Sequence, residues 1–290
     1  MAVYKQTYRG YDGRTTPAWS RWLITGRYAL APLLSSRLLP FCMAGCLFWP
    51  LFCVILVYIF HQPALMDLLP PGLSALVGVG GGFFYLFCVI QGVLAFLLTA
   101  LVAPGLISPD LVNGGMPLFL ARPFTRIEYV AGKMAVLAGI LSAITWIPGL
   151  LVLALQSSME PWKWTWDNLW IAGALIEGLG VWIVVLSLIG LAVSAWVRWR
   201  LLAGASVLGV FFVGAGLADL IDSVLHTTNG MKFNLLEVVR TIWVDLLRTT
   251  PIGESPIVLS TSEAWTVLAI AAGLCLALLA VRIRPFEVVR

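Results

Sequence analysis

Six long apolar runs, separated by polar links, set the pattern of this chain. They extend from about Leu38 to Phe60, Leu73 to Ala103, Tyr129 to Leu155, Leu169 to Val197, Leu201 to Ile221 and Ala264 to Val281. About 20 apolar residues in a helix cross the ~30 Å hydrocarbon core of a bilayer, so each run predicts one membrane-spanning helix. Three runs carry internal breaks. Pro50 in the first lacks an N–H, which leaves the carbonyl of Cys46 without its helical donor and predicts a kink. The second is too long for one straight crossing and contains Gly78, Gly80, Gly81 and Gly82, which predicts a tilt or a glycine break. The Gly78–Gly82 spacing suits close approach of two helices. The third is interrupted at Trp146-Ile147-Pro148-Gly149.

The links predict structure of their own. Thr16-Pro17 starts a helix in which Trp19, Trp22, Leu23, Gly26 and Leu30 share one side, while Ser20, Arg21, Thr25 and Arg27 lie elsewhere. That describes a helix in the membrane interface, ended by Pro32. Between the second and third spans, Ser108 reads as a cap and Pro109 as the first helical position of a short element that Gly114-Gly115 breaks. Arg122-Pro123 breaks the chain again, and Thr125-Arg126-Ile127-Glu128 is a capping box opening the third span. Trp162, Trp164, Trp166 and Trp170 form an aromatic belt at a membrane face. In the link from Asp222 to Ser262, Glu237, Arg240, Thr241, Asp245 and Arg248 fall on one helical face. Leu235, Val238, Val239, Ile242, Leu246 and Leu247 fall on the other. This predicts an amphipathic helix, capped by Asn234, that rests on the membrane or in a groove of the protein. Ser260 and Glu263 form the capping box of the sixth span.

Composition agrees: 60% of residues are hydrophobic and 11% charged, with a mean hydropathy of +0.96, which excludes an ordinary soluble domain. Charge fixes the orientation. With both termini on the side of the 108–133 link, that side carries fourteen Lys and Arg. The other side carries four, Lys163, Lys232, Arg240 and Arg248. The positive-inside rule puts the fourteen in the cytoplasm. The first long apolar run begins only near Leu38, without a nearby small-residue cleavage site, so the whole chain is expected to be retained. The expectation is an all-α integral membrane protein of the cell (inner) membrane, residues 1–290 forming a single transmembrane domain. It has six spans, an N-terminal interfacial helix, a cytoplasmic helix between spans two and three, and an outer amphipathic helix before span six.

Candidate chemistry is sparse. All five cysteines lie in apolar runs, where they serve as small packing residues. No metal-ligand spacing is present, and Gly132-Lys133-Met134 lacks the glycine spacing and the Ser/Thr of a phosphate-binding loop. Neither ATP hydrolysis nor a cofactor is expected in this chain. Glu177 and Asp219 lie inside spans without a Lys or Arg deep enough to pair with them; such residues are costly in lipid and mark candidate substrate paths. Gln91 belongs with them. The alternative for each is a protonated or hydrogen-bonded group that packs the bundle.

The run Leu118-Phe119-Leu120-Ala121-Arg122-Pro123-Phe124-Thr125-Arg126-Ile127-Glu128-Tyr129-Val130-Ala131-Gly132-Lys133, together with the six-span layout, resembles the membrane subunits of type-2 ABC transporters. Pro123, Thr125, Arg126, Tyr129, Gly132 and Lys133 match that family's pattern in order. The resemblance implies a permease subunit, an exporter, that works as two copies or with a close relative. A separate ABC ATPase subunit would supply ATP and Mg. It further implies that the element between spans two and three is a coupling helix, with Ser108, Asp110, Leu111, Val112, Arg122 and Arg126 as its working residues. Two other readings stand beside it: a membrane-embedded enzyme acting on lipid through Glu177 and Asp219, and a non-transporting assembly or signalling subunit. Membrane lipid is an expected partner and nucleic acid is not.

Overall fold

A computed structural model describes residues 17, 20–62, 79–113, 125–250 and 259–283. Its helices are α1 (Arg21–Ser35), α2 (Leu38–Phe60), α3 (Gly81–Val102), α4 (Pro104–Val112), α5 (Arg126–Ile144), α6 (Trp146–Met159), α7 (Trp162–Asn168), α8 (Trp170–Trp196), α9 (Arg200–Leu225), α10 (Leu235–Leu246) and α11 (Thr261–Arg282). A 3-10 turn over Asn229–Phe233 precedes α10. Among the described residues there is no strand. Six helical stretches among the described residues are long and apolar enough to cross a membrane: Leu38–Phe60, Gly81–Asp110, Arg126–Met159, Trp162–Trp196, Arg200–Leu225 and Thr261–Arg282. The chain is a multi-pass membrane protein.

The bundle is built around α8. Two thirds of its most apolar stretch, 67%, is buried inside the chain, against 22% for α9 and α11. α8 packs against α3, α4, α5, α6, α9, α10 and α11. α2 stands on the outside against α3 and α6, and α1 lies along α5. That last contact needs two glycines. A Cβ on Gly132 would lie 2.6 Å from the carbonyl oxygen of Trp22, and one on Gly26 would lie 3.3 Å from that of Gly132. Thr25, placed on the polar side by its sequence spacing, is therefore buried in this seam. α1 also continues through Pro32 to Ser35 and does not stop at the proline.

Both predicted capping boxes form. Thr125 accepts from the Glu128 amide at 3.2 Å while Glu128 accepts from the Thr125 amide at 2.7 Å, and Ser260 and Glu263 repeat the arrangement at α11. The break predicted near Pro148 falls at Thr145, where the backbone leaves the helical region between α5 and α6. Gly78 lies outside the described residues. At Gly82 a Cβ would meet the Thr249 hydroxyl at an ordinary 3.5 Å, so no tight approach within the subunit requires glycine there among the described residues. The close approach belongs to Gly81, where a Cβ would lie 2.1 Å from the carbonyl oxygen of Leu247.

α10 is not a surface helix. Asn234 caps it as expected, accepting from the amides of Leu236 and Glu237. Its apolar face, extended by Trp243, enters the bundle. The Trp243 indole donates to the Gly178 carbonyl at 2.9 Å, and the Trp182 indole donates to the Gly92 carbonyl at 3.0 Å. The two rings meet edge to face at 6.1 Å. Gly92 and Gly178 make the room: a Cβ on either would come within 2.8 Å of the Trp243 ring. Gly92 is eleven residues into α3, ~16 Å along it, about half of the ~30 Å core. The polar face is used as well. Arg240 pairs with Glu237 at 2.8 Å and donates to the Tyr85 hydroxyl at 2.9 Å.

Candidate functional site

The end of the bundle opposite α10 gathers α4, the start of α5, the end of α8 and the end of α11. α4 does not start at Ser108. It starts at Pro104, two residues past Val102 at the end of α3, a first-turn position that suits proline's fixed φ. Pro104 also leaves the Ala100 carbonyl without its helical donor, and Gly204 of α9 closes on it: a Cβ there would lie 2.8 Å from that oxygen. Ser108 sits inside α4 and does act as a cap, though of another helix. Its hydroxyl donates to the carbonyls of Val197 and Arg198, at the C-terminus of α8, where helical carbonyls lack donors. Ser194 completes the joint. Its hydroxyl accepts from the amides of Ile107 at 3.3 Å and Ser108 at 3.1 Å and donates to the Pro104 carbonyl. Arg282 of α11 donates to the Ala195 carbonyl at 3.1 Å in the same last turn of α8, a favourable place for a cation.

α5 holds α4 from the other side. Lys133 Nζ lies 2.8 Å from Asp110 Oδ2, and the Tyr129 hydroxyl donates to the same oxygen at 2.6 Å. Tyr129 is fully buried and Lys133 nearly so. Asp110 is therefore bonded within the chain, whereas the sequence pointed it at a partner. Removing one member of such a pair strands the other's charge, which costs several kcal/mol when the site is dry. The order of residue types from Thr125 to Lys133 now has a physical meaning. Thr125 and Glu128 start α5, Tyr129 and Lys133 clamp α4, and Gly132 admits α1.

α4 thus has two bonded flanks and, among the described residues, an exposed tip. Val112, at its last helical position, is 58% exposed, and Asn113 follows it into a turn. Leu111 lies beside them in α4. Ile127 is 80% exposed beside the exposed Arg126. Arg122 and the Gly114-Gly115 pair lie outside the described residues. The structure brings Ser108 and Asp110 into one bonded element with α5 and α8, and leaves Val112, Arg126 and Ile127 on its surface.

The three polar residues of the spans separate. Gln91 is fully buried, and its side-chain amide donates to the Cys46 carbonyl at 3.2 Å and to the Ile144 carbonyl. Each of those carbonyls lies four residues before a proline, Pro50 and Pro148. Both are left without helical donors. Gln91 on α3 thus bridges the Pro50 site of α2, which runs on as one helix through its proline, and the break between α5 and α6. The sequence named the freed Cys46 carbonyl and Gln91 separately; only the packing joins them. Glu177 and Asp219 behave differently. Both are exposed on the bundle surface and neither makes a hydrogen bond or ion pair among the described residues. Glu177 is seven residues from the start of α8 and Asp219 six from the end of α9, each ~10 Å from the α10 end of its helix. Gly173, four residues before Glu177 and so on the same face of α8, and Gly180 just beyond it both have open space beside them. Tyr85 and Trp243, which tie the α10 end together, carried no sequence signal beyond their size.

Residues 7–288 match the profile of the ABC-2 family transporter proteins. No curated protein shows significant similarity to the chain. With a match over nearly its whole length and six apolar helices of spanning length, the chain belongs to the ABC-2 family of transporter proteins, as a membrane permease subunit.

Proposed function

We propose that this permease is the membrane half of an ATP-driven exporter, with both termini and α4 in the cytoplasm and α10 at the outer face. α4 is the coupling helix. Its tip, Leu111 and Val112, docks in a cleft of a separate ABC ATPase subunit, which holds ATP and Mg, while Arg122 and Arg126 meet acidic groups or lipid phosphates beside it. ATP closes the ATPase pair and displaces α4. The Asp110–Lys133 and Asp110–Tyr129 bonds pass that displacement to α5, and the Ser108 and Ser194 bonds pass it to α8. Because Gln91 ties the Pro50 site of α2 and the α5–α6 break to α3, these helices bend together. A switch of this kind requires binding energy that differs between its two states.

The observation that carries the reading is that α4 is bonded on both flanks while Val112 at its tip is exposed. A rigid element transmits displacement, and an exposed apolar tip offers a docking contact. A second copy, or a close relative, completes the transporter. The unpaired carboxylates of Glu177 and Asp219 support this: at ~10 Å depth each is costly against lipid, and a water-filled path shared between two copies removes that cost. The test is reconstitution with an ABC ATPase encoded beside it. The reading expects the two to co-purify and ATP hydrolysis to change with the permease present. It also expects a cysteine at Trp162 to label only from outside and one at Phe119 only from inside. Labelling of both from one side overturns the orientation.

A further inference from the structure

A groove of about 340 Å³ lies between α1 and α5, with Met43 of α2 completing its wall. Its floor is the row Ala135, Gly139 and Ala143, which recur every four residues and so share one face of α5. No described residue lies within 4 Å of the position a Cβ on Gly139 would take, so among the described residues the space above the floor is open. Leu30 and Leu34 of α1 are among its apolar walls, and among the described residues Arg27 is the one charged residue lining it. Arg27 is exposed, and none of the hydrogen bonds or ion pairs among the described residues uses its guanidinium.

We propose that this groove seats one acyl chain of an anionic phospholipid, with the Arg27 guanidinium on the lipid phosphate. The dimensions select the occupant. A helix with its side chains is ~10–12 Å across, whereas this groove runs between two packed helices over a row of small residues, a shape suited to a narrower chain. An alkyl chain fits it. The floor from Ala135 to Ala143 spans eight residues, ~12 Å, within the ~15 Å of one leaflet. The charge selects the headgroup: one cation in an otherwise apolar lining is satisfied by a phosphate that carries net negative charge, and guanidinium pairs with phosphate through two parallel hydrogen bonds. Seated there, the lipid fills the space beside the Gly26–Gly132 seam and becomes part of the contact that holds α1 to the bundle.

The test uses the full-length protein in nanodiscs of phosphatidylcholine and phosphatidylglycerol at three to one, followed by mass spectrometry of the lipids that stay bound. Phosphatidylglycerol is expected to be enriched several-fold over its share of the bilayer, and excess inorganic phosphate is expected not to displace it. Gly139→Leu grows into the open groove and is expected to return bound lipid to the bulk ratio without lowering the melting temperature. Arg27→Gln is expected to keep a bound lipid and lose the preference for the anionic one. Gly45→Leu is the control: it also has no neighbour within 4 Å but does not line the groove, and it is expected to retain lipid as wild type. A bulk lipid ratio in wild type, or retention unchanged by Gly139→Leu, overturns the proposal. Displacement by inorganic phosphate, or loss of a dimer in Gly139→Leu with lipid unchanged, also overturns it.

Discussion

The side-chain amide of Gln91 donates to the carbonyl of Cys46 at 3.2 Å, the same carbonyl that Pro50 leaves without a helical donor. Its second acceptor, the Ile144 carbonyl, is orphaned by Pro148 in the same way. Gln91→Leu keeps the volume and leaves both carbonyls buried without a donor. Interhelical hydrogen bonds in membranes are individually modest, so the expected loss is about 1–3 kcal/mol in total, read as a lower melting temperature in detergent. Pro50→Ala restores a backbone donor to Cys46, so it should recover part of that loss in the double variant. Additive effects in the double variant would mean that Gln91 acts elsewhere.

Gly81 and Gly82 are neighbours in sequence with opposite expectations. Gly81→Ala places a Cβ 2.1 Å from the Leu247 carbonyl, backbone that cannot give way without moving the end of α10. A loss of about 1–3 kcal/mol is expected. Gly82→Ala meets only the Thr249 hydroxyl at 3.5 Å and should melt like wild type. Equal melting of the two variants would contradict the seating of α10 against the start of α3.

Glu177 and Asp219 test whether the exposed carboxylates face water or lipid. In the assembled transporter, Glu177→Cys and Asp219→Cys are expected to react with a charged maleimide added to the water. Ile270→Cys, on α11 with a 71% exposed parent side chain, is the lipid-facing comparison and should stay unreactive. If all three are inert, the carboxylates do not line an aqueous path.

Spans and caps were legible because they are written locally. A long apolar run fixes α2 from Leu38 to Phe60, and a four-residue pattern fixes the starts of α5 and α11. What stayed hidden depends on partners far along the chain. Ser108 looks like a cap for its own helix until the end of α8, some ninety residues later, is brought to it. Asp110 looks like a group for a partner until Lys133 and Tyr129 take it. Periodicity described α10 as amphipathic, yet hydropathy alone does not separate a helix on a membrane from one whose Trp243 is wedged between Gly92 and Gly178. In each case the residue was visible and its partner was not.

Lys133→Met separates the lever from its bonding. It leaves Asp110 with only the Tyr129 hydroxyl, in a site where Lys133 is 6% exposed. Asp110 keeps some contact with solvent, so the expected cost is about 1–3 kcal/mol, below that of a fully dry pair. Lys133→Met with Asp110→Asn should recover part of it, because no charge is then stranded. A double variant as unstable as the single one would show that the ion pair is not what holds α4 to α5.

The most direct measurement of the coupling account uses Val112, at the exposed tip of α4, where a substitution disturbs none of the bonds to α5 or α8. Val112→Glu puts a carboxylate into an apolar docking contact, which should weaken binding of the ATPase about tenfold or more, since desolvating an unpaired charge exceeds the ~1.4 kcal/mol of one decade. The variant is expected to melt like wild type, to lose the ATPase on co-purification, and to leave ATP hydrolysis at the rate of the isolated ATPase. A Val112→Glu permease that binds the ATPase and alters its hydrolysis as wild type does would contradict the account.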